Sequence, residues 1–330
     1  MDRQRQSPLG IFLILLFGLY SALLIIYLIL RVAFGDSQPW LTLFHTASPY
    51  YFLPLIVGLI VGLVFRAKRF VALQLILLTI GIAWIGVPLL PRALPPQQGT
   101  ALSLLTFNVY PENDDVQDAI RYIISRDPDV VVLQETSASQ DWSDLLDYYP
   151  HARFNGSYGL YSRYAISENT TIELSAVSAQ RALLEVDDEN VVLYNVHLTF
   201  PFDSEADAPL LLRYDESVRN ADIEALLALL DEETDNEVIV AGDFNLSDYS
   251  PAYDRLTSTL TDAYRAGAWG LGATWPAAAF EEADVPAWVP RLFRLDYVFH
   301  SEDINTLSAI VGPRIGSDHL PVLVTLDIDD

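Results

Sequence analysis

Two hydrophobic patterns divide the chain. From Leu9 to Leu30 there are twenty-two consecutive uncharged residues, and a helix of that length, at about 1.5 Å per residue, spans a hydrocarbon core of about 30 Å. A second uncharged stretch runs from Ser37 to Phe65, most apolar from Tyr50 onward, and a third from Phe70 to Pro91. The pattern predicts a membrane anchor over residues 1–92 with three transmembrane helices, at 9–30, 45–65 and 70–90. A cleaved signal peptide is the weaker reading of the first segment, because the apolar run is too long and no small-x-small site follows it. Pro91, Pro95, Pro96, Gln97, Gln98 and Gly99 then stop the third helix. They mark a linker over 93–100 and a separately folding domain over 101–330.

Past the linker the apolar runs shorten to a few residues, each bounded by turn-forming or charged residues. Leu102 to Phe107, Val130 to Leu133, Val191 to Val196, Val238 to Ala241, Tyr297 to Phe299 and Pro321 to Leu326 predict buried strands, being short and rich in β-branched residues. Asp115 to Ser125 and Ser217 to Leu230 carry apolar positions at helical spacing. Strands mixed with helices predict one α/β or α+β domain with sheet layers between helices.

Charge sharpens the division. Up to Arg92 the chain holds seven Lys/Arg and two Asp/Glu; beyond it there are twelve Arg, no Lys and forty-two Asp/Glu. The anchor is therefore basic and the domain strongly acidic. Arg3 and Arg5 precede the first span, and Arg66, Lys68 and Arg69 fill the loop between the second and third, whereas Arg31 is offset by Asp36. The positive-inside rule places the amino terminus and the second loop in the cytoplasm, and three crossings put the domain on the extracytoplasmic side of the cell membrane. Recurrent Val, Leu, Ile and aromatic runs exclude a disordered chain. The absence of Cys excludes disulfides and thiolate ligands.

Polar residues collect at the strand ends: Asn108; Gln134 and Glu135; His197; Asp243 and Asn245 in Gly242-Asp243-Phe244-Asn245; Asp296; and Asp318 and His319 after Ser317. Singly, each has a plain reading. Asn and Asp form turns, Glu135 could cap a helix, and His197 could be a half-buried histidine with its hydrogen bonds met. As a set they supply hard oxygen ligands, a histidine with a carboxylate to orient it, and amide donors, an inventory suited to Mg²⁺-assisted attack of water on a phosphate ester.

In these residues the sequence resembles the endonuclease/exonuclease/phosphatase superfamily of DNase I-like enzymes. The motifs are Thr106-Phe107-Asn108, Leu133-Gln134-Glu135, Gly159-Leu160-Tyr161-Ser162-Arg163, Asn195-Val196-His197-Leu198, Gly242-Asp243-Phe244-Asn245, Thr274-Trp275, Arg294-Leu295-Asp296-Tyr297 and Ser317-Asp318-His319. The resemblance implies a four-layer α/β/β/α sandwich, preceded here by the transmembrane helices, with the site at one edge of two packed sheets. It implies Glu135 as the principal Mg²⁺ ligand, with Asn108 beside it and Asp318 in support, and Mn²⁺ as the alternative metal. It implies His319 and Asp296 as a dyad, Asp243 as the group that orients or deprotonates the water, and Asn245 and His197 as holders of the phosphoryl oxygens. The base role falls to His319 and Asp243 jointly.

The expected protein is a membrane-anchored, metal-dependent phosphoric ester hydrolase, held to the bilayer by its helices and acting on a phospholipid head group or a small phosphodiester. Nuclease action on DNA or RNA is the alternative, disfavoured because affinity for a polyanion rests on Lys and Arg. A catalytically silent tethered binding protein is the reading from another class, and the complete acid, base and ligand set argues against it. The loops Phe200 to Tyr214 and Trp275 to Phe293, which flank the motifs, are expected to fold back over the core, with contact to lipid or a head-group pocket as the second reading.

Overall fold

The computed structural model describes residues 7–90, 92–113, 116–187, 189–202, 213–233, 236–277 and 291–328. The chain forms two compact units, Met1–Leu90 and Pro91–Asp330.

The first unit is helical. Helix Pro8–Phe34 opens with Pro8 in its first turn, where a missing N–H costs nothing, and the Ser7 side chain accepts a hydrogen bond from Gly10 N at 3.1 Å. Helices Pro39–Thr46, Leu53–Val64 and Lys68–Gly81 follow, with a 3₁₀ segment Ser48–Phe52 between the first two of these. The stretch expected as a helix over 45–65 falls on Ser48–Val64, and the chain bends by 73° between it and Trp40–Thr46, next to Pro49, which lacks a backbone donor. By length and composition, two helices, Pro8–Phe34 and Lys68–Gly86, can cross a membrane, or three crossings result if the bent pair counts as one. The unit is apolar outside and mixed inside, where Leu41, Leu55 and Leu77 are buried beside polar groups. Leu9, Phe12, Leu15 and Leu19 are exposed, whereas Ser21, His45 and Gln74 are buried. Gln74 donates to Ser21 Oγ at 2.9 Å, and His45 Nδ1 meets the Tyr27 hydroxyl at 3.0 Å.

The second unit contains two six-stranded sheets. In chain order the strands are β1 (Thr100–Asn108), β2 (Val130–Gln134), β3 (His151–Asn155), β4 (Tyr158–Ser162), β5 (Ala165–Glu173), β6 (Ser178–Val186), β7 (Glu189–His197), β8 (Glu237–Asp243), β9 (Thr261–Asp262), β10 (Asp296–His300), β11 (Asn305–Val311) and β12 (Val322–Ile328). One sheet has the order β11-β12-β1-β2-β4-β3 and the other β5-β6-β7-β8-β10-β9.

Alternation along each strand builds the layers, since side chains point to opposite faces with period two. Leu102 and Leu104 of β1, Val130 and Val132 of β2, Val191 and Leu193 of β7 and Ile239 and Ala241 of β8 form the core between the sheets. Their intervening neighbours face outward. Leu105 and Phe107 meet helices Val116–Arg126 and Ser143–Tyr148, and Val192 and Val240 meet helices Ser217–Leu230 and Pro251–Leu256. The result is a mixed α/β sandwich of helices, sheet, sheet and helices, as the family resemblance implies. Helix Val116–Arg126 falls where the periodicity predicts it, with Asp115 outside the described residues.

Candidate active site

The same alternation aims the candidate residues. Asn108 continues the inward series Leu102, Leu104, Thr106; His197 continues Val191, Leu193, Asn195; Asp243 continues Ile239, Ala241. Each side chain thus enters the gap between the sheets one step beyond the apolar core. Register brings them level: His197 lies opposite Asp243 on the parallel β7–β8 pair, and Asp296 lies opposite Asp243 on the antiparallel β10–β8 pair.

The turns leaving these strands are conformationally demanding. Gly242 has φ +148°, and a Cβ there would lie 1.9 Å from Val196 O, so the residue before Asp243 must be glycine. Glu135 and Asn245 adopt φ +58° and +50°, left-handed conformations that non-glycine residues rarely hold except where surrounding structure imposes them. Glu135 caps no helix.

Two groups of ligand atoms result, Glu135 with His197 and Asp243, and Asp243 with Asp296 and His319, and Asp243 belongs to both. Asn108 Nδ2 bridges the acids, donating to Glu135 Oε1 at 2.9 Å and to Asp243 Oδ2 at 3.0 Å, while its Oδ1 accepts from Tyr110 N. His197 Nε2 lies 3.4 Å from Glu135 Oε1 and 3.7 Å from Asp243 Oδ2. His319 Nδ1 meets Asp296 Oδ2 at 2.9 Å, leaving its Nε2 3.6 Å from Asp243 Oδ2. Asn245 N donates to Asp243 Oδ1 at 2.9 Å, and Asn245 Nδ2 to Leu198 O at 2.9 Å, leaving one amide hydrogen uncommitted. Asp318 stands at the margin, outside both ligand groups, its carboxylate 3.2 Å from Trp275 Nε1 and 3.4 Å from Ser317 Oγ.

Electrostatics set the protonation pattern. Burial pushes the Asp243 carboxyl above its ordinary range, with Asp296 adding to the rise against the pull of both histidines. Burial alone would lower His319, but Asp296 and Asp243 outweigh it and hold the imidazole well above its usual value. Among the described residues, the only cationic partners of Glu135, Asp243 and Asp296 are the two histidines. Asp296 Oδ1 is buried with no hydrogen-bond partner. Several carboxylates without Lys or Arg are costly to bury together, and their oxygens are the ligands a hard divalent cation takes. The donor set therefore fits such a metal.

Some contributors had been given no role. Ser317 Oγ donates to Asn108 O at 2.8 Å and accepts from His319 N at 3.0 Å, tying two strand ends together. Thr274 Oγ1 accepts from Leu295 N at 3.1 Å and Asp296 N at 3.3 Å. Gln134 Nε2 donates to Asn195 Oδ1 at 2.7 Å, linking the sheets one residue before Glu135 and two before His197. Each lies within a family motif; Ser317 and Gln134 also stand beside a candidate, whereas Thr274 had only its motif as a signal. Residues 203–212 and 278–290, which carry most of the two flanking loops, lie outside the described residues.

The model for the Endonuclease/Exonuclease/phosphatase family matches residues 105–319. The chain belongs to that family. Among solved structures, an endonuclease/exonuclease/phosphatase from Bacteroides vulgatus is similar at 20% identity and TM-score 0.54, covering 70% of this chain and 100% of its own. A truncated TDP2 from Caenorhabditis elegans is similar at 15% identity and TM-score 0.54, with 70% and 100% covered. A mannosyl-6-phosphatase from Bacteroides thetaiotaomicron is similar at 16% identity and TM-score 0.50, with 68% and 99% covered. At these identities the likeness establishes the fold. No curated protein matches the chain. Membership of the family together with the two ligand groups makes the protein a metal-dependent hydrolase acting on phosphoric ester bonds.

Proposed function

We propose that the chain is a membrane-tethered, Mg²⁺-dependent phosphodiesterase whose substrate is a phospholipid head group or a small soluble phosphodiester. The observation that carries this reading is the convergence of Glu135, Asp243 and Asp296 with two histidines and, among the described residues, no Lys or Arg partner. Glu135 would hold the metal, with Asn108 beside it and Asp318 in support. A metal held there would offset phosphate charge and polarise a phosphoryl oxygen.

The chain's own groups do the rest. Asp296 fixes His319 with a proton on Nδ1. With the imidazole held cationic, His319 Nε2 also carries a proton and faces Asp243, whose carboxylate accepts the proton that leaves the attacking water. The raised Asp243 makes that carboxylate a better proton acceptor than an exposed one. His197 Nε2 and the free hydrogen of Asn245 Nδ2 face the place where negative charge accumulates on the phosphoryl oxygens. The acidic domain, with twelve Arg and forty-two Asp/Glu after Arg92, argues for a small or lipid-borne phosphate over a long nucleic acid.

Exposed apolar and buried polar side chains in the first unit favour a lipid environment for it. Counting the bent pair as one span gives three crossings, a cytoplasmic amino terminus and an extracytoplasmic catalytic unit.

The decisive experiment assays the full chain in detergent with Mg²⁺, Mn²⁺ or Ca²⁺ against bis(4-nitrophenyl) phosphate, a phospholipid, DNA and RNA. Mg²⁺-dependent turnover abolished by EDTA is expected with the first two substrates. Turnover of none of the four rejects the enzyme; turnover of the nucleic acids alone rejects the substrate class. Protease accessibility on intact cells tests the orientation.

A further inference from the structure

Arg219 is the largest of the fully buried side chains, 1% exposed, on helix Ser217–Leu230. Its guanidinium does not reach the reacting groups. One amine, Nη1, donates to the backbone carbonyl of Asn245, and Nη2 lies 2.7 Å from Glu216 Oε1. Glu216, itself buried, also accepts a hydrogen bond from the Tyr214 hydroxyl.

We propose that Arg219, held by Glu216, is a positioning residue for hydrolysis: it clamps the Asn245 carbonyl and so sets the direction of the Asp243 and Asn245 side chains. The inference rests on the proposed roles of those two residues.

The clamp acts where the ladder ends. Asp243 is still paired with His197 and Asp296, and Phe244 N donates to Leu295 O at 2.9 Å, but Asn245, with φ +50°, lies beyond the paired residues of both neighbouring strands. Asn245 bonds forward and back at once, through its N–H to Asp243 Oδ1 and its Nδ2 to Leu198 O. The carbonyl that Arg219 holds belongs to the 245–246 peptide, so the contact fixes ψ of the residue that makes these two bonds. From the core side, two successive carbonyls are held: Asn245 O by Arg219, and Leu246 O by the Tyr297 hydroxyl at 3.0 Å.

Stability alone does not ask for this arrangement. A buried ion pair contributes little over apolar residues of the same volume, and the helix already buries Ile223 and Leu226 against the sheet. What an apolar residue cannot provide is a hydrogen bond to the Asn245 carbonyl from a group that an ion pair with Glu216 holds in place. The same helix carries a matching contact one turn on. Asp222, three residues after Arg219, accepts from Thr199 Oγ1 at 2.6 Å and from Ala176 N at 2.7 Å, which steadies the segment leaving His197. One helix thus fixes the segments that leave both β7 and β8.

The test uses the full chain in detergent, saturating Mg²⁺ and bis(4-nitrophenyl) phosphate. The double variant Glu216→Gln/Arg219→Met removes both charges and leaves neither stranded. Its melting temperature should stay within a few degrees of wild type, while kcat falls about thirtyfold with KM changed by less than about threefold, as for a misdirected catalytic group. Wild-type kcat in the folded double variant overturns the proposal. Where that variant fails to fold, Arg219→Lys decides: it keeps the charge near Glu216 without the fork, and kcat should fall about tenfold. Wild-type turnover in Arg219→Lys overturns the proposal, and so does failure of both variants to fold, which makes Arg219 a requirement of the fold itself. Asp243→Asn separates this inference from the one beneath it. An active Asp243→Asn rejects the site assignment, whereas an inactive Asp243→Asn with fully active Arg219 variants rejects only the clamp.

Discussion

Two buried charge clusters sit at either end of the β10 entry and are built on opposite principles. At Arg294 the charges balance. Arg294 grips Asp262 with two nitrogens, at 2.5 and 2.9 Å, and reaches Asp248 at 3.2 Å, while Arg265 pairs with Asp248. The Arg294 guanidinium also lies over the Tyr297 ring at 4.5 Å. Two residues on, Asp296 enters the other cluster, where carboxylates gather with only histidines and an amide between them. In the first cluster burial would raise Asp262, yet Arg294 pulls its carboxyl below the usual range. In the second, burial and like charge push Asp243 up. A cluster complete in itself serves the fold. One short of positive charge is arranged for a cation from outside.

The sharpest break of this comparison is a crossed pair of carboxylate-to-amide changes. Glu135→Gln or Asp243→Asn should lower kcat by about a thousandfold or more. The melting temperature in EDTA should hold or rise, because a repelling charge is removed. Asp262→Asn should do the reverse in stability, leaving Arg294 under-compensated at a cost of about 3–5 kcal/mol. For a unit of this size that is a fall of about 10 °C. Thermal melts and initial rates on the same preparations check both halves. Equal destabilisation by all three changes would remove the distinction.

A middle-sized effect sharpens the same point. Mg²⁺ bound only by the folded state stabilises by mass action, about 2.7 kcal/mol at one hundred times Kd. Mg²⁺ should therefore raise the melting temperature of wild type by several degrees, but not that of Asp243→Asn. No shift in wild type at millimolar Mg²⁺ would count against the acid cluster as the metal site.

The two clusters were unequally legible in the sequence, and the strands show why. The runs that stood out gave β1, β2, β7, β8, β10 and β12, strands with neighbours on both sides and apolar residues on both faces. The edge strands β3, β5, β9 and β11 did not stand out. β5 reads Ala-Ile-Ser-Glu-Asn-Thr-Thr-Ile-Glu and is largely exposed, since an edge strand needs only part of one face apolar. β4 and β6, next to edges, were hidden by tyrosine, glycine and scattered polar residues. The acid cluster was visible because its residues terminate central strands. The balanced cluster was not: Asp248, Asp262 and Arg265 come from a loop, a two-residue strand and a short helix, and no periodicity joins them to Arg294. Arg219 carried a weak signal, a Glu216–Arg219 pair at helical spacing on the face that also carries Asp222, Ile223 and Leu226. The bend after Thr46 lies beside Pro49, at the amino-terminal margin of the expected span 45–65, and helix Pro39–Thr46 before it was not among the expected elements.

The smallest effect concerns acid. Because the folded Asp262 carboxyl is depressed, its contribution to stability is present above the unfolded value of about 3.9 and disappears as pH falls through the folded one. The balanced cluster should therefore be silent between about pH 5 and 8 and weaken only below about pH 4. Each unit of depression is worth about 1.4 kcal/mol. Every other carboxylate of this acidic chain titrates in the same range, so the useful quantity is the difference between wild type and Asp262→Asn. Denaturant melts in EDTA at pH 5, 4 and 3 should show the stability gap between them closing as the pH drops. A gap that stays constant down to pH 3 would mean that Arg294 holds Asp262 no more tightly than solvent does, and the balance of that cluster would then be an arrangement without energetic content.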